Sequence, residues 1–157
     1  MPKRNKEREL KAKDIMTKDP VSCTPDTNLK DAAQLMVEHD CGEIPVVDSM
    51  ETMQPIGVIT DRDITCRTVA RGKNPLKMAV SECMSSPIVT VTDETSLREC
   101  CRTMESSLIR RIPVVDESGK CCGIISQADI AKKAAKEYTG EVVKQLSQST
   151  LSASQVM

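Results

Sequence analysis

The chain contains the same five-residue stretch twice, and this repeat constrains the fold more than any other feature. Ile-Pro-Val-Val-Asp occupies residues 44–48 and again residues 112–116. A second pair of matching stretches follows, at residues 57–64 and 123–130. An internal repeat of this kind fixes the architecture, and two copies are too few for a solenoid. The sequence therefore predicts a pseudo-twofold pair of repeats inside one compact unit.

Each repeat has the pattern of a strand, a helix, two strands and a second helix. Short runs rich in β-branched residues predict strands, and apolar residues spaced by three and four positions from Leu29 and from Leu97 predict helices. The segments Asp26-Thr27-Asn28 and Glu94-Thr95-Ser96 precede these runs and supply good helix N-caps. The other predicted elements are strands at 21–24, 44–48, 56–59, 88–91, 112–116 and 122–125, and helices at 61–70 and 127–136.

A three-stranded sheet with helices on one side leaves its other face uncovered, and that face must be buried. The simplest solution is contact with the same face of the other copy. We therefore expect an α/β (α+β) fold in which two tandem β-α-β-β-α repeats pack sheet to sheet with pseudo-twofold symmetry.

The same pattern divides the chain into five parts. We expect a charged N-terminal arm at 1–13, a first repeat at 14–71, a linker at 72–81, a second repeat at 82–138 and a tail at 139–157. The tail is rich in Ser, Gln and Thr, which predicts partial disorder. The arm reads as a solvated segment or a short helix, with nucleic-acid or partner binding as the alternative.

Composition excludes several classes of function. The net charge is −1, and the chain has no Phe or Trp and one Tyr, so neither electrostatics nor base stacking favours nucleic acid. No apolar run approaches the length of a membrane span. Eight cysteines without a signal sequence predict reduced thiols and a cytoplasmic protein. With His39 as the single histidine and no Cys-x-x-Cys spacing, we expect neither a metal site nor an enzyme.

The ordered set of motifs resembles a known family. Met-Thr, Pro-Val, Ile-Pro-Val-Val-Asp and Gly-Val-Ile-Thr-Asp-Arg-Asp-Ile, matched again in the second half, are similar to the cystathionine-β-synthase (CBS) domain over about residues 13–137. Two in tandem form a Bateman module. The first repeat is similar to the regulatory insert of inosine monophosphate dehydrogenases and to stand-alone CBS-pair proteins, but the catalytic barrel of those dehydrogenases is missing.

The resemblance implies a non-enzymatic regulatory module that requires no cofactor. Such modules bind adenosine-containing ligands (AMP, ADP, ATP or S-adenosylmethionine) in clefts between the repeats, form homodimers and change the activity of a partner protein. Two alternatives remain open from the sequence. The chain is a structural or protein-interaction dimer with vestigial pockets, or it binds nucleic acid through the basic arm.

The resemblance also implies ligand-binding residues. Thr60 with Asp63, and Ser126 with Asp129, have the spacing of a helix capping box, which is the simpler interpretation. By analogy with the family, each Asp is expected to accept hydrogen bonds from the ribose diol. Each hydroxyl would lie beside the ribose and phosphate, near free helix N–H groups.

Further candidates flank the repeated strands. By the same analogy, Arg110 and Arg111 are expected to meet ligand phosphates, although a pair of solvated charges is the alternative. The first repeat has Gly42 and Glu43 at these positions, and Glu43 would oppose a polyphosphate unless cations come from the second repeat. The expected walls of the adenine pocket, for which plain core strand is the alternative, are Ile44, Pro45, Ile112 and Pro113.

Overall fold

A computed structural model of the protein describes residues 9–86 and 88–133. The predictions for the first eight residues of the arm, for the tail and for the end of the last helix lie outside these residues. Within the described part, no helix is long and apolar enough to cross a membrane.

The helices and strands follow the doubled order that the repeat predicts. Short 3-10 turns at Val69–Arg71, Pro75–Lys77 and Val80–Glu82 join the two halves. The main elements, in chain order, are α1 (Ala12–Ile15), β1 (Thr17–Lys18), α2 (Leu29–Glu38), β2 (Glu43–Val47), β3 (Pro55–Thr60), α3 (Asp61–Arg67), β4 (Val91–Thr92), α4 (Leu97–Ser107), β5 (Arg111–Val115), β6 (Cys121–Ser126) and α5 (Gln127–Lys133).

The two antiparallel hairpins of the repeats have the same register. β2 pairs with β3 so that Ile44 lies opposite Ile59, and β5 pairs with β6 so that Ile112 lies opposite Ile125. Each hairpin has an irregularity at the corresponding place, after Val46 in the first and after Val114 in the second. The second hairpin extends into a four-stranded sheet with the order β1-β6-β5-β4.

The first strand of each repeat is shorter than predicted. At 21–24 only Cys23 pairs, as an isolated parallel bridge to Val46. Pro20 and Pro25 flank this segment, and proline supplies no N–H to a strand ladder, so pairing does not extend. In the second repeat the parallel pair with β5 covers Val91–Thr92 instead of 88–91.

Two hydrophobic clusters fill the space between each hairpin and its helices. The cluster of the first repeat contains Leu29 and Met36 of α2 against Ile44 and Ile59 of the hairpin. The cluster of the second repeat contains the corresponding residues of α4, β5 and β6. Cys100 and Cys101 are buried there, as expected for small apolar side chains. The described part of the protein therefore has one core on the helical side of each repeat.

The other faces of the two hairpins meet. Glu43 on β2 forms an ion pair with Arg111 on β5, with Oε2 4.0 Å from Nε. At the far end of the hairpins the Cys121 N–H donates to the Met53 carbonyl at 2.8 Å. The repeats are thus packed sheet to sheet with pseudo-twofold symmetry, and the predicted α+β fold is confirmed. We call the line of contact between the two hairpins the seam.

The segment that precedes each repeat docks onto the opposite repeat. We call residues 10–18 the first lead-in and residues 78–86 the second lead-in. Thr17 of the first pairs with Ile124 of β6, and Ser85 of the second pairs with Val58 of β3. Residues 10–13, assigned to the charged arm from the sequence, are therefore part of a docked segment in which Ala12 is fully buried.

The hydrogen bonds of the two lead-ins correspond one to one. The Leu97 N–H donates to the Leu10 carbonyl at 2.7 Å, and the Leu29 N–H donates to the Met78 carbonyl at 2.9 Å. Two further corresponding pairs link Ala12 to Thr95 and Val80 to Thr27, each at 2.8 Å. The pseudo-twofold symmetry therefore extends from the hairpins to the lead-ins.

Each lead-in passes close to a glycine of the opposite hairpin. A Cβ on Gly57 would be 2.7 Å from the Ser85 carbonyl oxygen, and a Cβ on Gly123 would be 2.3 Å from the Met16 sulfur. Both glycines lie in the middle of a strand, where a side chain is normally favoured. Their role is to admit the crossing lead-in.

Replacing Gly57 with Ala is expected to destabilise the protein by about 1–3 kcal/mol, because the methyl group would push against backbone that cannot rotate away. Gly42→Ala is a matched control at the start of the same hairpin. Its added Cβ would meet the Asp61 carboxylate at 2.9 Å, and that exposed side chain can move. Urea unfolding measures both variants, and an equal loss in the two would contradict the close approach of the lead-in.

Candidate functional site

The predicted hydroxyl–carboxylate pairs lie at equivalent places, where β3 runs into α3 and β6 runs into α5. The Thr60 hydroxyl accepts from the Asp63 N–H at 2.9 Å, and the Asp63 carboxylate accepts from the Thr60 N–H at 3.1 Å. Ser126 and Asp129 make the same two bonds, at 3.1 and 2.9 Å. Both pairs are capping boxes, so the structural interpretation of this spacing is confirmed.

One oxygen of each carboxylate is used by the cap, and the other faces a neighbour. Asp63 Oδ1 lies 3.8 Å from Nε of Arg67, one turn further along α3. Asp129 Oδ1 lies 3.4 Å from the hydroxyl of Thr17, which belongs to the first lead-in. These second oxygens are the acceptors that a ligand hydroxyl can use.

Arg67 connects the Asp63 carboxylate to the second lead-in. Its guanidinium donates to the carbonyls of Cys83 and Met84, at 2.9 and 3.0 Å, and to the Ser85 hydroxyl at 3.3 Å. Each candidate site is therefore completed by the lead-in of the other repeat. The sequence reasoning missed Arg67 and Thr17. Arg67 was visible as a cation four residues after Asp63, but Thr17 reaches its partner only through the fold.

The two predicted arginines occupy different environments. Arg110 is exposed and precedes β5, and its carbonyl accepts from the Gln127 N–H at 3.0 Å. Arg111 is the first residue of β5 and contacts Glu43, the first residue of β2. The structure thus places a cation of the second repeat against the acid of the first, directly on the seam.

Glu43 is the most perturbed acid of the seam. Its side chain is 14% exposed, and burial raises its pKa from 4.5 to about 7. The Arg111 guanidinium lowers the pKa and the Asp63 carboxylate raises it, but both effects are smaller than that of burial. Arg111 is 41% exposed, so water weakens its attraction. Glu43 therefore changes its charge near neutral pH.

The predicted adenine-pocket residues divide between the two faces of the hairpins. Ile44 and Ile112 are fully buried in the clusters on the helical side, so their side chains serve the core. Pro45 and Pro113 alternate with them along β2 and β5 and share the face that carries Glu43 and Arg111. The adenine contact of these residues stays a prediction.

The described residues contain no group of three His, Cys, Asp or Glu side chains placed to hold a metal ion. All eight cysteines are free thiols. Burial raises the pKa of Cys23 and of Cys121 to about 11 and that of Cys100 to about 12, which disfavours the reactive thiolate. His39 is the C-cap residue of α2, as its position at the helix end predicted.

Comparison with known proteins settles the family. The model of the CBS domain matches residues 12–67 and residues 80–136, which correspond to the two repeats. The chain belongs to the CBS domain family. It is a tandem CBS pair, and the resemblance seen in its motifs is confirmed. The CBS domain-containing protein YhcV of Bacillus subtilis is 35% identical over 136 residues, which cover 86% of this chain and 94% of YhcV.

Solved CBS structures resemble the whole described pair. Hypoxic Response Protein I with two coordinated zinc ions has a TM-score of 0.71 and 33% identity, covering 80% of this chain and 100% of that one. The CBS pair of MJ0100, in complex with 5′-methylthioadenosine and S-adenosyl-L-methionine, has a TM-score of 0.69 and 26% identity, covering 79% and 94%.

Two further structures show an adenine nucleotide and an assembly. CBSX2 in complex with AMP has a TM-score of 0.64 and 27% identity, with 78% of this chain and 93% of that one covered. A hexameric CBS-CP12 protein from bloom-forming cyanobacteria has a TM-score of 0.70 and 32% identity, with 81% and 73% covered. Similar CBS pairs thus bind adenosine compounds and form oligomers.

The raised pKa of Glu43 predicts a loss of stability as the pH rises. The folded protein holds a proton on Glu43 that the unfolded chain has already released. Stability therefore falls between pH 4.5 and about 7 and stays low above it, with a contribution of up to about 3 kcal/mol. Glu43→Gln is expected to remove this decrease in stability with rising pH. Urea unfolding at pH 5 and pH 8 measures it against the wild type.

Glu38→Gln is the matched control, because Glu38 is an exposed acid at the end of α2. Its stability is expected to follow that of the wild type at both pH values. If Glu43→Gln also followed the wild type, Glu43 would titrate as an ordinary acid and the burial argument would be wrong.

Proposed function

We propose that this CBS pair is a non-enzymatic regulatory module that binds an adenosine-containing ligand in the clefts at the seam. The observation that carries the proposal is the doubled arrangement of a hydroxyl and a carboxylate at the strand–helix junctions, beside an arginine on the seam. The AMP complex of CBSX2 and the adenosine-compound complex of MJ0100 support the chemical class of the ligand.

The carboxylates supply ribose recognition in this proposal. Asp63 and Asp129 each use one oxygen for the helix cap, and the second oxygen has weak contacts, at 3.8 Å to Arg67 and 3.4 Å to Thr17. A vicinal diol donates two hydrogen bonds, and a charged acceptor makes each of them strong. Thr60 and Ser126 are placed beside the same carboxylates, so their hydroxyl groups contact the ribose or its 5′ substituent.

The arginines supply phosphate recognition. Arg110 immediately precedes β5 and Arg111 is its first residue. The planar guanidinium group of arginine can donate to two oxygens of one phosphate. Pro45 and Pro113, on the seam face of the central strands, offer flat apolar surface to the adenine ring, with the backbone of Ile44 and Ile112 beside them. The site of the second repeat thus has the more favourable charge for a nucleotide.

The module acts on a partner protein in this proposal, as its resemblance to regulatory CBS pairs implies. It is expected to assemble at least as a homodimer, in line with the hexameric CBS-CP12 neighbour. The alternative is an interaction protein whose clefts are vestigial. The lysines of the first lead-in do not favour nucleic acid, since Lys11 and Lys13 both pair with Glu94.

Calorimetry with AMP, ADP, ATP, S-adenosylmethionine and adenosine tests the proposal. At least one of them is expected to bind, with stoichiometry of one or two per chain. No heat and no thermal stabilisation at millimolar concentrations of every ligand would reject the function and leave the interaction dimer. Light scattering of the same samples gives the oligomeric state.

Asp129→Ala is expected to weaken binding at the second site at least tenfold, because two charge-assisted hydrogen bonds to the ribose are lost. Asp31→Ala is the matched control, since Asp31 also lies in the first turn of a helix but is exposed on α2. Affinity measured by calorimetry should be unchanged in the control. Unchanged affinity in Asp129→Ala, with the fold intact, would refute the ribose assignment.

A further inference from the structure

The seam is symmetric in its backbone and asymmetric in its charge. Glu43 and Arg111 are equivalent residues, each the first of its repeated strand and each opposite the hydroxyl residue of its own cap, Thr60 or Ser126. Their side chains meet across the seam at 4.0 Å. The two equivalent positions therefore carry opposite charges, and their ion pair joins the two candidate sites.

This ion pair stands in the way of an anionic ligand. The Arg111 guanidinium is the seam cation, and Glu43 already occupies one side of it. A phosphate that approaches Arg111 therefore meets a second negative charge at the distance of a direct contact. The Asp63 carboxylate also acts on Glu43 and raises its pKa, and its own partner is Arg67, with Nε 3.8 Å from Oδ1.

Protonation of Glu43 removes the obstacle at little cost near neutral pH. The burial that disfavours its charge holds its pKa at about 7, so a proton is taken up readily. The neutral carboxyl group no longer binds Arg111 electrostatically, and its O–H can donate to a ligand oxygen. Across the seam, the charged groups that face Glu43 are Arg111 on β5 and, on its own side, Asp63 with Arg67 on α3. Asp61, at the start of α3, lies beside Gly42.

We propose that Glu43 selects adenosine ligands by charge: a phosphorylated ligand binds at Arg111 together with one proton taken from solvent by Glu43, whereas uncharged adenosine binds without that proton. This inference rests on the proposed function. It adds that the affinity of the CBS pair for nucleotides depends on pH, while its affinity for the nucleoside does not.

The magnitude follows from the proton balance. If binding requires neutral Glu43, the affinity for AMP falls tenfold for each pH unit above the pKa of this residue. Between pH 6 and pH 8 the loss approaches tenfold. Glu43→Gln imitates the protonated state at every pH, so it should keep the high affinity.

The experiment measures the affinity of AMP and of adenosine for the wild type, Glu43→Gln and the control Glu38→Gln, at pH 6 and pH 8. The phosphate of AMP itself titrates near pH 6, so each comparison is between variants at one pH. We expect Glu43→Gln to bind AMP about tenfold more tightly than the wild type at pH 8, and about equally at pH 6. Adenosine should bind all three proteins alike.

A second measurement counts the protons that are taken up on binding. Calorimetry of AMP binding to the wild type at pH 8, in buffers with different ionisation enthalpies, should show uptake of close to one proton beyond that of the phosphate. Glu43→Gln should show no uptake beyond that of the phosphate. The wild-type value does not depend on how the substitution affects the fold.

Three results would overturn the inference. The ratio of the AMP affinities of Glu43→Gln and the wild type could be the same at both pH values, or AMP could bind without the additional proton. Either result would show that Glu43 does not select ligands by its charge, and the proposed function would stand. If the Glu43→Gln substitution increases the affinity for adenosine as much as the affinity for AMP, Glu43 does not select ligands by charge. If no adenosine compound binds any of the proteins, both the selection by Glu43 and the proposed function are wrong.

Discussion

The structure depends on a crossing of its lead-ins. Each repeat has an open groove at a mid-strand glycine, and the other repeat's lead-in fills it, with the Ser85 backbone at Gly57 and with the Met16 side chain at Gly123. A groove of this depth exists only because Gly57 and Gly123 have no side chain. The same crossing brings the Thr17 hydroxyl to 3.4 Å from Asp129 Oδ1 and brings Ser85 to Arg67, which contacts Asp63. Fold and site are thus built by the same contact.

The backbone of the two repeats is symmetric, but several side chains of the candidate sites break this symmetry. The capping boxes are alike in the two repeats, and the neighbours of their carboxylates are not: a hydroxyl approaches Asp129, and a guanidinium approaches Asp63. The first residue of the central strand is basic in one repeat and acidic in the other. Two copies of one backbone therefore carry different charged side chains at equivalent positions, and one of these is the largely buried Glu43.

The sequence predicted most of the fold because its information was local or repeated. Helices α2 and α4 begin where their apolar spacing and N-cap residues place them, and both hairpins lie where the repeated motif indicates. The first predicted strand is reduced to a single bridge at Cys23, because Pro20 and Pro25 limit its pairing more strongly than its β-branched residues favour it. The crossing of the lead-ins could not be predicted from local sequence, because the residues next to a glycine do not show which distant segment will contact it.

In the candidate site, too, the local patterns could be predicted from the sequence and the contacts between distant residues could not. Thr60, Asp63, Ser126 and Asp129 form a pattern of fixed spacing, which sequence can detect. The contact between Glu43 and Arg111 joins residues far apart in the chain, and the perturbation of Glu43 arises from burial that only the fold defines. Sequence therefore identified the charged residues of the seam but not which of them oppose each other.

The exchanged lead-ins also make the two halves of the chain interdependent. A break between the repeats, for example near the turn at Pro75–Lys77, would leave the N-terminal fragment holding a segment that belongs to the C-terminal one, and the reverse. Neither fragment keeps the lead-in that docks on its own hairpin. The same exchange of lead-ins would allow two chains to form a domain-swapped dimer, because every contact that the swap needs is already made within one chain.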